Sequence, residues 1–271
     1  MLCTLNYPKK ERKNIDMSNY NFIFSPTGGT KKVSDILKNE IGGAWADVNL
    51  CLSENQITLP DINQDDVCII AVPSFGGRVP EIAVERLNKI SANGAKTILV
   101  CVYGNREYED TLTELFDEAE KCGFKSIAAV SAIAEHSIAR QFAAGRPDAD
   151  DETDLKAFAE KIKNKLENDD NDIHSTIPGN HNVYKERGKS TSKPETADWC
   201  IECGICAKGC PAGAISFDNP RITDNEKCIS CMKCISVCPR NARSLNPAVL
   251  DAVSERLSKV CSVRKANELF L

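Results

Sequence analysis

The sequence predicts a two-part protein, a doubly wound parallel α/β sheet followed by a small cysteine-rich domain. Two observations carry this. Apolar strand-like runs alternate with amphipathic helical patterns from Tyr20 to about Leu166, and eight of the fourteen cysteines crowd between Cys200 and Cys238. Strands separated by helix-length amphipathic stretches are the mark of βαβ units, which place parallel strands side by side with helices on both faces.

The strand-like runs are 21–24, 47–50, 67–72, 97–102 and 126–130. Between them, apolar residues recur at helical spacing. Val33, Ile36 and Leu37 form one stripe and Ala83, Val84, Leu87 and Ile90 a second. Leu112, Leu115, Phe116 and Ala119 form a third, and Leu155, Phe158, Ala159, Ile162 and Leu166 a fourth. Five strands with interleaved helices fit one three-layer domain over 17–166. Residues 167–196 are polar and weakly patterned, as in Asp169-Asp170-Asn171-Asp172, and are expected to be a linker. The cysteine-rich domain then spans 197–245. In the closing stretch 246–271, Asn246-Pro247 supplies an N-cap and first-turn proline for a helix carrying Leu250, Val253, Leu257 and Val260 on one face.

Charge and length exclude several classes. A formal net charge of -5 argues against a general nucleic-acid binder. No apolar stretch approaches the eighteen or so residues of a membrane span, and the first residues lack the pattern of a secretory leader, so a cytoplasmic protein is expected. Residues 1–16, with the polar run Lys9–Asn14, are expected to lie outside the fold, and Met17 is an alternative start. Without an export signal, and in a chain of 271 residues, the cysteines do not read as a disulfide framework. Cys68 and Cys101 sit within apolar strands and read as small buried residues; Cys3, Cys51, Cys122 and Cys261 are also scattered singly.

The crowded cysteines form a repeat. Cys200-Ile201-Glu202-Cys203-Gly204-Ile205-Cys206-Ala207-Lys208-Gly209-Cys210-Pro211 recurs at Cys228-Ile229-Ser230-Cys231-Met232-Lys233-Cys234-Ile235-Ser236-Val237-Cys238-Pro239. Both copies follow the spacing C-x2-C-x2-C-x3-C-P. Two-residue gaps wrap the chain around a cubane so that three thiolates reach three iron corners, and the fourth cysteine starts a new segment beyond that reach. Paired zinc sites are the alternative, since C-x2-C alone also occurs in zinc ribbons. The repeat resembles bacterial-type two-cluster ferredoxins. That resemblance implies two [4Fe–4S] clusters in a small α+β domain, one on Cys200, Cys203, Cys206 and Cys238, the other on Cys228, Cys231, Cys234 and Cys210. Residues 201–271 hold ten Lys and Arg against seven Asp and Glu, an excess able to offset cluster charge locally.

A second motif, Ser25-Pro26-Thr27-Gly28-Gly29-Thr30, directly follows the first strand and opens the first helix. A glycine-containing turn at a helix N-terminus offers backbone N–H groups to a phosphate, and the hydroxyls add donors. Neither the dinucleotide nor the P-loop fingerprint is present; a turn that only caps its helix is the alternative. The composition resembles the flavodoxin phosphate loop, S/T-x-T-G-x-T. Flavodoxin strand order 2-1-3-4-5 would bring this turn beside two further loops at the topological switch point where FMN binds. These are Pro73-Ser74-Phe75-Gly76-Gly77 and Tyr103-Gly104-Asn105-Arg106, with Tyr108 beyond. Phe75, Tyr103 and Tyr108 are candidates to stack on an isoalloxazine, and the glycines allow close backbone approach.

From about Met17 onward the chain resembles flavodoxin–ferredoxin fusion proteins of anaerobic bacteria and archaea. Gly76-Gly77-Arg78-Val79-Pro80, Tyr103–Arg106, Glu135-His136-Ser137, Gly145-Arg146-Pro147-Asp148 and Pro178-Gly179-Asn180 carry the likeness together with the two motifs above. Phe75 stands where a tyrosine is more usual. The resemblance implies an electron-transfer protein passing electrons between FMN, two [4Fe–4S] clusters and a redox protein partner or small-molecule substrate. A flavin-dependent reductase fed by its own clusters, and a ferredoxin-like carrier whose α/β domain only docks, are the alternatives. His136 follows the fifth strand, where a proton-relay role stands against a structural one; His174 and His181 lie in the expected linker.

Overall fold

The computed structural model describes residues 18–168, 173–188 and 190–271. The stretch 1–16 expected to lie outside the fold, and Asp169–Asp172 of the expected linker, fall outside the described residues. Strands β1 (Asn19–Ile23), β2 (Trp45–Asn49), β3 (Val67–Pro73), β4 (Lys96–Tyr103) and β5 (Lys125–Ile133) form a parallel sheet in the order β2-β1-β3-β4-β5. That is the flavodoxin-type order expected from the sequence. β3 is apolar almost without interruption because both its faces are covered. Cys68, Ile70 and Val72 face one layer, while Ile69 and Ala71 face the other.

Helices α1 (Gly29–Ile41) and α4 (Ala149–Asn168) cover one face, through Val33, Leu37, Leu155 and Ile162. Helices α2 (Glu81–Leu87) and α3 (Thr111–Lys121) cover the other, through Ala83, Leu87, Leu112 and Leu115. The segment expected to be a linker folds back along α3 as a strap. Ile173 and Ile177 enter the core, and buried Asp117 accepts hydrogen bonds from the backbone N–H of Asn182 (2.7 Å) and the Tyr184 hydroxyl. His181 Nδ1 lies 2.6 Å from the same carboxylate and stacks on His174 at 4.0 Å. Further along, the Arg78 guanidinium bridges both oxygens of Glu114 (2.7 and 2.8 Å) and lies 4.7 Å from the Tyr184 ring centre.

The cysteine-rich domain is closed by a short antiparallel pair, β6 (Glu195–Thr196) with β7 (Arg243–Ser244). It also carries two single-turn helices, α5 (Ile205–Lys208) and α6 (Lys233–Ser236). The chain then returns to the α/β unit. Helix α7 (Pro247–Cys261) starts as expected, its Asn246 side chain accepting from the N–H of Ala248 at 3.0 Å, and packs Val253 and Leu257 against Ala139 and Phe142. After it, β8 (Glu268–Phe270) adds a sixth, antiparallel strand beside β5. A strand of three residues shows no readable alternation, so only five strands are expected from the sequence; its position is set by the long α7 return.

Candidate metal centres and cofactor loops

Two cavities open within the cysteine-rich domain. One is lined by Cys200, Cys203, Cys206 and Cys238, the other by Cys210, Cys228, Cys231 and Cys234. Each therefore takes three cysteines from one copy of the repeat and the last cysteine of the other copy. The backbone makes this possible by the same device twice. Glu202 and Gly204 in the first copy, and Ser230 and Met232 in the second, occupy the left-handed region with φ of 54°, 73°, 54° and 61°. These reversals curl the chain so that successive cysteines converge, before α5 or α6 carries the fourth away toward the other cavity. Three of the four reversals are made by residues with side chains, a strain maintained only where the surroundings require the conformation.

The donor chemistry suits a polynuclear iron–sulfur core. All thirteen described cysteines are unpaired thiols. Among the described residues, no three His, Cys, Asp or Glu side chains converge on a position for a single metal ion; each cysteine set encloses a cavity instead. Cys210 Sγ accepts a hydrogen bond from the N–H of Ala214 (3.3 Å), and Cys238 Sγ from that of Ala242 (3.2 Å), a repeated contact of the kind that tunes cluster potential. Among the described residues three buried side-chain donors have no partner, and two of them, Arg243 Nε and Ser230 Oγ, belong to the cysteine-rich domain. Arg243 lines the first cavity, so a sulfur atom of a bound core could complete what is otherwise a costly orphan.

The two centres differ in their surroundings. The Cys210 set lies against the α/β unit: Ile229 packs on its core, and Lys193 Nζ, from the segment after the strap, donates to the Cys228 carbonyl. Buried Arg86, at the end of α2, donates to the Leu50 carbonyl and, at 2.8 Å, to that of Pro211. Cys51, next to Leu50, is buried, and its Sγ accepts from the N–H of Ser25 at 3.1 Å. Burial pushes the Cys51 thiol up to about 11. The Cys200 set looks outward, with Cys203 exposed. Trp199, Ile201, Ile205, Phe217 and Ile222 are exposed apolar side chains along the same stretch, and Arg221 reaches the carbonyl of Cys200 at 3.5 Å.

The three loops expected to hold a flavin lie at the C-terminal ends of β1, β3 and β4. In the first, Gly28 caps α1 with φ of 96° and no side-chain hydrogen bond, and no acidic residue occupies the first turn. At the start of this thirteen-residue helix only the N–H of Lys31 meets a side-chain acceptor, and a phosphate could take the N–H groups before it. Ser25 Oγ accepts from the N–H of Lys31 at 2.9 Å, fixing the turn, and Thr30 is buried; Thr27 lies within the same turn. In the second, Phe75 and Arg78 exchange backbone hydrogen bonds around Gly76 and Gly77, whose φ values of 62° and 85° describe a type I′ turn. Pro73 ends β3, and Ser74 Oγ accepts from Thr111 Oγ1 at 2.8 Å. Phe75 is half-buried, edge-on to Phe24.

The third loop is engaged by the chain's own C-terminal segment. Asn105 is buried and donates to the carbonyls of Cys261 and Val263, both at 2.8 Å, while accepting from the N–H of Lys265. Arg106 pairs with Glu109 at 2.7 Å. Tyr103 is buried, edge-on to Tyr108, whose hydroxyl donates to Glu268 on β8. Of the three aromatic candidates, Phe75 alone is not tied to this segment. Gly104 packs against His136, whose Nδ1 accepts from the N–H groups of Ile138 (3.2 Å) and Ala139 (3.1 Å). Burial, with the Arg106 charge acting in the same direction, pushes His136 down to about 4. It is a neutral turn-former rather than a proton carrier at neutral pH. Sequence reading missed Arg86 and Cys51 as contacts near the second centre, because a single arginine on a helix and a single cysteine after a strand carry no motif.

Residues 199–243 match the family model described as the 4Fe-4S dicluster domain. A comparison with curated proteins found no match. Among solved structures, a flavodoxin from Streptococcus pneumoniae TIGR4 matches at 16% identity over 55% of this chain and 99% of its own, with a TM-score of 0.38. A flavodoxin from the domain Archaea matches at 13% identity over 56% and 99%, with a TM-score of 0.40. The two-electron reduced flavodoxin of Megasphaera elsdenii matches at 19% identity over 53% and 98%, with a TM-score of 0.35. The sheet order, rather than likeness at this level, carries the fold. The chain joins an α/β unit of flavodoxin strand order to a segment that matches the 4Fe–4S dicluster domain. Among the described residues no helix is long and apolar enough to cross a membrane.

Proposed function

We propose that the protein is an electron-transfer iron–sulfur flavoprotein that passes electrons between FMN, two [4Fe–4S] clusters and a separate redox partner. The single observation that carries this reading is the pair of four-cysteine cavities formed by exchange of the last cysteine between the two repeats. That arrangement suits two cubanes and has no use in a zinc ribbon. Cys200, Cys203, Cys206 and Cys238 would hold one cluster, and Cys210, Cys228, Cys231 and Cys234 the other. FMN would seat its phosphate on the 25–30 turn and its ring beside Phe75, between the 73–77 and 103–108 loops. When bound, the flavin supplies exchange between two-electron and one-electron chemistry. The protein's part is to fix distances, exclude water and set potentials through hydrogen bonds to sulfur.

A second reading is favoured by the engagement of Asn105, Arg106 and Tyr108 with groups of the chain itself. In it the α/β unit holds no flavin and only docks the clusters. Analysis of anaerobically purified protein separates the two. The first reading expects about eight iron, about eight acid-labile sulfide and an equimolar flavin. Zinc in place of iron overturns both readings; two clusters without flavin leave the second.

A further inference from the structure

The two cysteine centres are not equivalent in position, and their difference sets an order. The Cys210 centre is bound to the α/β unit by Ile229, which packs against its core, and by Arg86, which joins the carbonyls of Pro211 and Leu50. Pro211 directly follows the ligand position Cys210. Leu50 directly precedes Cys51, whose sulfur takes the N–H of Ser25, the first residue of the phosphate turn. One continuous set of bonds and hydrogen bonds thus runs from Cys210 through Arg86 and Cys51 to the turn. The Cys200 centre has an arginine of its own, Arg221, bonded to the carbonyls of Ala197, Asp198 and Cys200. That set of contacts stays within the cysteine-rich domain, and exposed Cys203 opens the centre toward solvent.

We propose that the Cys210/Cys228/Cys231/Cys234 centre is the proximal one, coupled to the flavin loops through Arg86 as a positioning residue. The Cys200/Cys203/Cys206/Cys238 centre is the distal one, which exchanges electrons with one-electron carriers in solution. This rests on the proposed function above. In the reducing direction an external one-electron donor supplies two electrons in succession, and water supplies two protons, for each flavin reduced; only electrons cross the Arg86 bridge. Arg86 holds the two units in register, and its charge, one residue from the ligand position Cys210, would favour the reduced state of an anionic cluster bound there.

The test compares Arg86→Met, Arg86→Lys and Arg221→Met holoproteins. Each cluster's potential is followed by paramagnetic resonance, with signals assigned through Cys203→Ala and Cys210→Ala. Arg86→Met is expected to shift only the proximal potential to more negative values and to slow cluster-to-flavin transfer after flash reduction by about tenfold, a barrier change of about 1.4 kcal/mol. Arg86→Lys keeps the charge but lacks the guanidinium fork that reaches both carbonyls, so it should restore the potential and leave transfer slow. Arg221→Met should shift only the distal potential and leave internal transfer unchanged. The proposal is overturned if Arg86→Met moves the distal potential, if it moves neither potential nor the rate, or if Arg221→Met slows internal transfer as much. Protein that holds both clusters but no flavin contradicts the proposed function instead, and the two potentials then still decide which centre Arg86 serves.

Discussion

His136 was legible as a residue near a loop but not as a part with a job, because its role depends on two backbone N–H groups that only the fold brings to it. Held neutral, its ring accepts from Ile138 and Ala139 and supports the turn against which α7 packs. The sign of its pH effect follows. The unfolded chain takes up a proton near 6.5 and the folded one near 4, so its stabilisation is complete above pH 6.5 and is lost as the pH falls toward 4. The full loss is on the order of 3 kcal/mol, of which about 2 kcal/mol is gone by pH 5. His136→Asn keeps an acceptor without a titrating group, and its melting temperature should fall less than that of wild type between pH 7 and pH 5. Parallel decline of the two proteins would show that another group carries the acid sensitivity. Phe75 and Tyr103 illustrate the same limit. Both stand at strand ends with aromatic rings, and nothing in the sequence distinguishes the half-buried ring from the one tied into the core beside Tyr108.

At the level of elements, β3, β4 and β5 were legible because a strand covered on both faces is apolar along its length, whereas β2 at the sheet edge is mostly exposed; the strand order was what the flavodoxin resemblance implied, and the sheet has it. Two elements were not. The strap over α3 reads as a linker because its apolar anchors, Ile173 and Ile177, are too few to show a period and the rest are polar: Asn182 and Tyr184 on Asp117, and Lys185 on Asp110. The burial of Glu114 and Asp117 on a helix whose apolar stripe lies elsewhere is the trace that such a cover leaves. β8 is too short to show a period and is placed by Asn267 and Glu268, which reach Ile133 and Ser131 at the sheet edge. The cysteine repeats, by contrast, carry their geometry in their spacing, and the structure gathers the cysteines into two mixed sets. If each set holds one cluster, Cys210→Ala should lower iron from about eight to about four per chain. The surviving resonance should belong to the cluster on Cys200, Cys203, Cys206 and Cys238. Loss of that cluster, with the Cys228 set intact, would reverse the assignment.

For the molecule as a whole, the cysteine-rich domain is tied to the α/β unit at three places. The strap leads into it, Arg86 and Ile229 join it along one side, and α7 with β8 leads back out. Arg264 on Asp148 and Arg146 on Asp151 add ion pairs around the returning segment. Such a domain is docked rather than tethered, so electron exchange between clusters held by its cysteines and a flavin held by the loops, as proposed, would need no search through solution. The central claim is that flavin and clusters form one internal circuit, and the most direct test is the rate of flavin reduction after flash photoreduction of the clusters, measured across a range of protein concentrations. A first-order rate independent of concentration is expected. A rate that rises in proportion to protein concentration would place the transfer between molecules and contradict the internal circuit.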